Sequence, residues 1–116
     1  MDIRLKRAYE PAEDGDGERF LVDRLWPRGV SKQELQAIWL KEVAPSPGLR
    51  QWFGHRPERW DGFRQRYRKE LDAADEALEP LRQALAAGPV TLVYGARDTR
   101  HNGALVLREH LLGHGR

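Results

Sequence analysis

Gly88-Pro89-Val90-Thr91-Leu92-Val93-Tyr94-Gly95 is the stretch on which the fold turns. Gly88-Pro89 stops any preceding helix, because glycine frees the backbone and proline carries no amide hydrogen. The five residues Val90 to Tyr94 are apolar or β-branched without polar alternation. That pattern predicts a central strand covered on both faces. Gly95 ends it. A strand of this kind needs helices on its sheet, so α/β is the expected class.

Downstream, Gly95 to Thr99 reads as a turn. A last helix is expected from about Arg100 to Leu112, with Asp98 or Thr99 as its N-cap. Upstream, Trp60, Phe63, Tyr67, Leu71, Ala74, Leu78, Leu81 and Leu85 recur at steps of three and four. Pro80 interrupts that helical run, which predicts two helices with Asp75 capping the second. Ser46-Pro47 opens a shorter helix through Trp52-Phe53, stopped by Gly54. Ser31 and Glu34 have capping-box spacing. Ile38 to Val43 reads as strand, with a helical extension as the alternative. Ile3 to Tyr9 alternates as a first strand, and Phe20-Leu21-Val22-Asp23 is a second. Between them, Glu10 to Arg19 combines Pro11, Gly15 and Gly17 with mostly acidic side chains, which predicts a solvated loop. It lacks the ligand spacing of a calcium loop. The expectation is one α/β domain over residues 1–116: a sandwich with a small, mostly parallel sheet of about four strands flanked by helices.

Composition bounds the function. The 116 residues are 40% hydrophobic and 33% charged, with a net charge of only +2, as in a soluble globular domain. The absence of cysteine excludes disulfides, thiolate catalysis, cysteine-based zinc sites and iron–sulfur clusters. Met1-Asp2-Ile3-Arg4 runs straight into the first strand pattern, so no signal peptide and a cytoplasmic location are expected. No apolar run reaches membrane-spanning length, and no membrane partner is expected.

Two loops leave the ends of apolar strands, where parallel sheets bind ligands. One is Asp23-Arg24-Leu25-Trp26-Pro27-Arg28-Gly29, in which proline holds two arginines, a carboxylate and an indole in a rigid, extended presentation. The other is Tyr94 to Asn102, which brings Arg97, Asp98, His101 and Asn102 to a helix start. If the two strands are neighbours, Arg24, Arg28 and Arg97 converge on one anion pocket. Trp26 would wall it and Asn102 would orient polar groups. Asp23, Asp98 and His101 are the acid–base candidates should chemistry occur. Each also has a plain structural role available, in packing, pairing or capping. His110 and His114 have helical metal-ligand spacing but no fixed carboxylate partner, so no metal is expected. Neither a Walker phosphate loop nor a dinucleotide glycine fingerprint is present, and no cofactor is identified. Arg50 to Glu70 carries seven basic side chains, with Trp52, Trp60, Phe63 and Tyr67 among them. The aromatics fit a core stripe and the arginines a solvated face, with nucleic-acid binding as the alternative.

Val22 to Gly29, Trp39-Leu40-Lys41, Ala44-Pro45-Ser46, Trp52-Phe53, Val90 to Tyr94, Arg97-Asp98, His101-Asn102 and Ala104 to Leu107 together resemble the YeaO-like family of small bacterial domains of unknown function. The resemblance covers nearly the whole chain. It implies a compact cytoplasmic α/β domain and no established activity, catalytic residue or cofactor. The functional expectation is therefore a domain that binds a small anionic ligand, a nucleotide or phosphorylated metabolite, at its strand ends, with or without catalysis. The alternative is a nucleic-acid or protein adaptor using the basic Arg50–Lys69 surface. Oligomeric state is left open by the residues.

Overall fold

The computed structural model describes residues 2–113. Four strands form one sheet: β1 (Ile3–Arg7), β2 (Glu18–Leu21), β3 (Ile38–Trp39) and β4 (Val90–Tyr94). Their spatial order is β1-β4-β2-β3, and every pairing is parallel. The last strand of the chain therefore lies between the first two. Its register sets Leu92 beside Leu5 and Phe20, and Val93 beside Lys6 and Leu21. All five residues of β4 are buried, as its unbroken apolar pattern requires.

Parallel strands need crossovers, and five α-helices supply or follow them. They are α1 (Lys32–Leu35), α2 (Pro47–Phe53), α3 (Trp60–Ala73), α4 (Glu79–Ala87) and α5 (Gly103–Gly113). Ile3, Phe20, Val22, Val90, Leu92 and Tyr94 join Phe53, Phe63, Tyr67, Leu81, Val106 and Leu107 in the main core. The opposite sheet face carries only a small cluster of Ala8, Leu21, Leu35 and Val93, flanked by Trp26, Val30 and Ala37.

The local signals for most helices hold. Ser31 and Glu34 form the reciprocal capping box of α1. Ser46 Oγ accepts the Leu49 amide, Pro47 opens α2, and Gly54 closes it in the left-handed region. Pro80 falls within the first turn of α4, where its missing amide costs nothing. Asp75 does not cap that helix. It opens a 3-10 turn (Asp75–Leu78), and its carboxylate pairs with Arg82 at 2.5 Å. Ile38 to Val43 divides into the two-residue β3 and a 3-10 turn over Lys41–Val43. The final helix begins at Gly103, later than expected. Asn102 Oδ1 accepts the Leu105 amide at 3.0 Å and acts as the cap. Asp98 instead holds the preceding turn, accepting the amides of Arg100 and His101.

The main correction concerns Glu10 to Arg19, which is not merely a solvated loop. Asp16 and Arg19 are buried at 1% and 6% exposure. The Arg19 guanidinium meets Asp16 Oδ2 at 2.6 Å and donates twice to the Leu35 carbonyl. Lys6 Nζ lies 3.0 Å from Asp16 Oδ1, and Thr91 Oγ1 donates to the Asp16 carbonyl at 2.8 Å. The loop thus plugs the thin side of the sheet with a hydrogen-bonded ion cluster. Gly17 makes the plug possible: its φ is +67°, and a side chain there would collide with the Pro89 carbonyl.

Burial pushes the Asp16 carboxyl up, but the Glu13 amide and the Lys6 and Arg19 side chains outweigh it and hold it below the usual value. A carboxylate with a lowered folded-state pKa contributes stability present above its unfolded value of 3.8. That contribution is lost as pH falls through the lower folded value. Asp16→Asn is expected to cost roughly 3 kcal/mol at pH 7, since it strands buried Arg19. In urea unfolding, the gap between wild type and variant should narrow steadily below pH 3.8. A gap independent of pH would show that Asp16 acts through packing and not through charge.

Candidate functional site

β2 and β4 are adjacent and parallel, so the chain leaves both at the same end of the sheet. Asp23 follows β2 and Gly95 follows β4. Asp23 Oδ2 accepts the Gly95 amide at 2.8 Å and ties the two exits together. Gly95 allows this close approach, because a Cβ there would lie 3.3 Å from the same oxygen.

A cavity of about 280 Å³ opens beside this bond. Asp23, Arg24, Gly95, His101 and Asn102 line it from the two strand exits. Pro45, Arg50, Phe53, His55 and Phe63 line it from the helices. Arg24 is anchored by the turn before α2: Nε donates to the Pro45 carbonyl at 3.2 Å and Nη2 to the Ala44 carbonyl at 3.3 Å. Its Nη1 takes no hydrogen bond among the described residues. Such a guanidinium is fixed by neutral acceptors, so its positive charge is not cancelled. His55 sits at φ +56°, directly after the left-handed Gly54. Positive φ is uncommon for a residue with a side chain, and here it turns the chain back at the cavity rim.

Asp23 is the one carboxylate on the lining. Burial raises its pKa, while the Gly95 amide and the Arg50 charge pull it down less strongly. On the far loop, Asp98 Oδ2 meets His101 Nδ1 at 2.9 Å. The Arg100 amide and the His101 side chain hold the Asp98 carboxyl below its usual range. An ionised Asp98 places the proton of a neutral His101 ring on Nδ1, leaving Nε2 as an acceptor. The ring packs edge-on against Trp60, with centroids 5.3 Å apart, and Asn102 Nδ2 donates to the Asp98 carbonyl.

The structure therefore gathers Asp23, Arg24, His101 and Asn102 around one cavity, as the two strand exits suggested. It does not gather Trp26, Arg28, Arg97 or Asp98 on that lining. Of the three arginines expected to share a crevice, only Arg24 is on this lining. The motif after β2 is divided between the two sides of the sheet. Asp23 and Arg24 serve the cavity, whereas Trp26 packs against the small cluster on the other face and donates to the Val30 carbonyl at 2.6 Å. Pro27 is buried, Arg28 and Arg97 are exposed, and the Arg28 carbonyl accepts the Tyr9 hydroxyl. Asp98 is linked to the site through His101 and through the Asn102 side chain. Sequence reasoning missed Arg50, Phe53, His55 and Phe63. Arg50 and Phe53, spaced three apart on a helix whose start and stop were legible, were the available signal. Among the described residues no three potential metal ligands cluster, and His114 lies outside those residues. No helix among the described residues is long and apolar enough to cross a membrane.

Fold and site define a small parallel α/β domain with a mixed-charge cavity at the carboxyl ends of its inner strands. The chain belongs to the family described as the Inactive DUF488-N3 subclade, matched over residues 2–114. It is 43% identical to the uncharacterized protein YeaO of Escherichia coli K12 over 112 residues, 96% of this chain and 97% of that one. It is 44% identical over 113 residues to the uncharacterized protein Rv3073c of Mycobacterium tuberculosis H37Rv, covering 96% of this chain and 94% of the relative. The Mycobacterium bovis protein Mb3100c, also uncharacterized, shows the same identity and coverage. No solved structure gives a significant match.

Because Asp23 has a raised folded-state pKa, its ionisation opposes folding as pH rises through that value. Below the unfolded value of 3.8 the proton is bound in both states and no penalty exists. Asp23→Asn keeps an acceptor for the Gly95 amide and removes the charge. It is expected to raise the unfolding temperature at pH 7 to 8 and to match wild type at pH 3. Thermal unfolding across that range checks this, and an Asn variant less stable at pH 8 would count against it.

Proposed function

We propose that this domain binds a small anionic ligand, of the nucleotide or phosphorylated-metabolite class, in the cavity at the ends of β2 and β4. The observation that carries the reading is Arg24. Its guanidinium is held by two uncharged carbonyls at the cavity wall, and Arg50 joins it on the same lining. A guanidinium held by neutral acceptors recognises phosphate and carboxylate groups by charge-assisted hydrogen bonds, and Arg50, whose charge also acts on Asp23, adds a second cation. Phe53 and Phe63, stacked with centroids 4.5 Å apart, supply apolar surface for a ring or carbon skeleton. Asp23 sits among these cations as an acceptor, which favours an anion that also offers a hydroxyl or N–H donor. The cavity is at the small end of the range for such sites and suits a compact ligand.

The family's description as an inactive subclade supports binding without turnover. In this reading Asp23, His101 and Asn102 orient the ligand, and Asp98 positions His101. A cytoplasmic setting belongs to the same proposal, since such phosphorylated ligands are held there.

A thermal-shift series with inorganic phosphate, adenosine monophosphate and a sugar phosphate tests it. A ligand at ten times its Kd should stabilise by about 1.4 kcal/mol, or roughly 5 °C. Arg50→Ala, at an exposed position, should fold normally and lose most of the shift. Arg24→Ala should lose it too. Arg28→Ala and Arg97→Ala should keep it. Shifts that depend on Arg28 or Arg97 and ignore Arg50 would overturn the assignment to this cavity.

A further inference from the structure

The α2–α3 corner carries a feature that the cavity does not use. Trp52, on α2, lays its indole across α3 at Gly62. A Cβ on Gly62 would come within 2.8 Å of Trp52 Cη2, so only glycine leaves room for the ring. A mid-helix glycine costs about 1 kcal/mol against alanine. It therefore marks a place where the seat of the indole outweighs helix propensity. Arg59 and Arg66 flank that seat, one turn before and one turn after Gly62. The Arg66 guanidinium carbon lies 3.9 Å from the indole centroid, and that of Arg59 lies 5.2 Å from it. Arg59 also donates to the Trp52 carbonyl. Lys69 continues the same stripe at a step of three, extending it to roughly 15 Å along the helix.

The charges on this stripe are free to act outward. Arg64 and Arg68, on the neighbouring face of α3, are both paired with Glu109 of α5. Arg59, Arg66 and Lys69 make no ion pair among the described residues. Arg66 and Lys69 are exposed, and Trp52 is half-buried. The large exposed apolar side chains among the described residues (Tyr9, Leu25, Ile38, Trp39 and Leu112) all lie elsewhere, so the stripe presents no exposed apolar side chain of that size to a membrane.

We propose that the Arg59–Arg66–Lys69 stripe, with Trp52 beneath it, is a binding surface for single-stranded nucleic acid. Arg66 lies over the indole in cation–π contact and is itself exposed, so its guanidinium plane is accessible from solvent. Unpaired bases stack on such planes, while arginine and lysine charges meet the phosphates. Duplex bases are already stacked and cannot use the plane. An acidic protein surface would need the charges and not a guanidinium plane beside an indole. This surface is separate from the cavity, and neither reading depends on the other.

Fluorescence anisotropy of the full chain with a labelled twelve-nucleotide oligo-dT and its RNA counterpart tests the proposal. Three phosphate contacts predict that raising salt from 50 to 200 mM weakens binding roughly 20-fold. Loss of one stacked base predicts that Arg66→Lys, which keeps the charge and loses the plane, weakens binding about tenfold. Arg66→Glu should abolish binding, and Lys32→Ala, on the far helix α1, should leave it unchanged. The duplex of the same sequence and vesicles containing phosphatidylserine should bind more weakly than the single strand. Absence of binding at 50 mM salt overturns the proposal. So does full retention of affinity in Arg66→Lys, or equal affinity for duplex or vesicles.

Discussion

Everything in this protein depends on the burial of β4. Five residues without a polar face cannot sit at a sheet edge, because an edge leaves backbone groups unpaired and one flank wet. The chain satisfies that constraint by inserting its last strand between β1 and β2. The insertion brings distant parts of the chain together: Ile3 beside Val90, and Leu21 beside Val93. The two sides of the sheet are then covered unequally. Long helices cover one side, while a four-residue helix, Trp26 and the Asp16 ion cluster complete the other.

The same insertion creates the cavity. Two neighbouring parallel strands end at the same level, and their exits must diverge around something. Asp23 and Gly95 close the base of that divergence with one hydrogen bond. Arg24 is then steered onto the Ala44-Pro45 turn, and α2 brings Arg50 and Phe53 to the opening. The site is thus a by-product of sheet order, furnished by residues that serve the fold as well. Asp23 couples the strands, and Asn102 caps α5.

Much of this was legible in the chain. The central strand, the α1 and α2 caps, the Gly88 stop and the break near Pro80 all follow from backbone chemistry within a few residues. That residues from both strand exits come together was legible from the apolar strands that precede them. Asp16 and Arg19 were not: their pairing depends on Lys6 and Thr91, contributed by other strands. Nor was the cap of α5, because Asp98, Thr99 and Asn102 are chemically alike as caps. Only the path of the loop selects among them.

By itself the sequence determined the α/β class, the buried strand, most helix ends and the membership of a family with no established activity. The structural features rest on local sterics, on capping and on periodicity, all written into neighbouring residues, and the family rests on its motifs. The tertiary structure alone decided which half of Asp23 to Gly29 faces the cavity. It also excluded Arg28 and Arg97 from that lining and brought Arg50 and His55 into it. The physical reason lies beyond the strands. Asp23 and Arg24 lie past the end of β2, so the path of the loop and not strand alternation sets the side each takes, and which side holds a cavity depends on helices contributed by the rest of the chain.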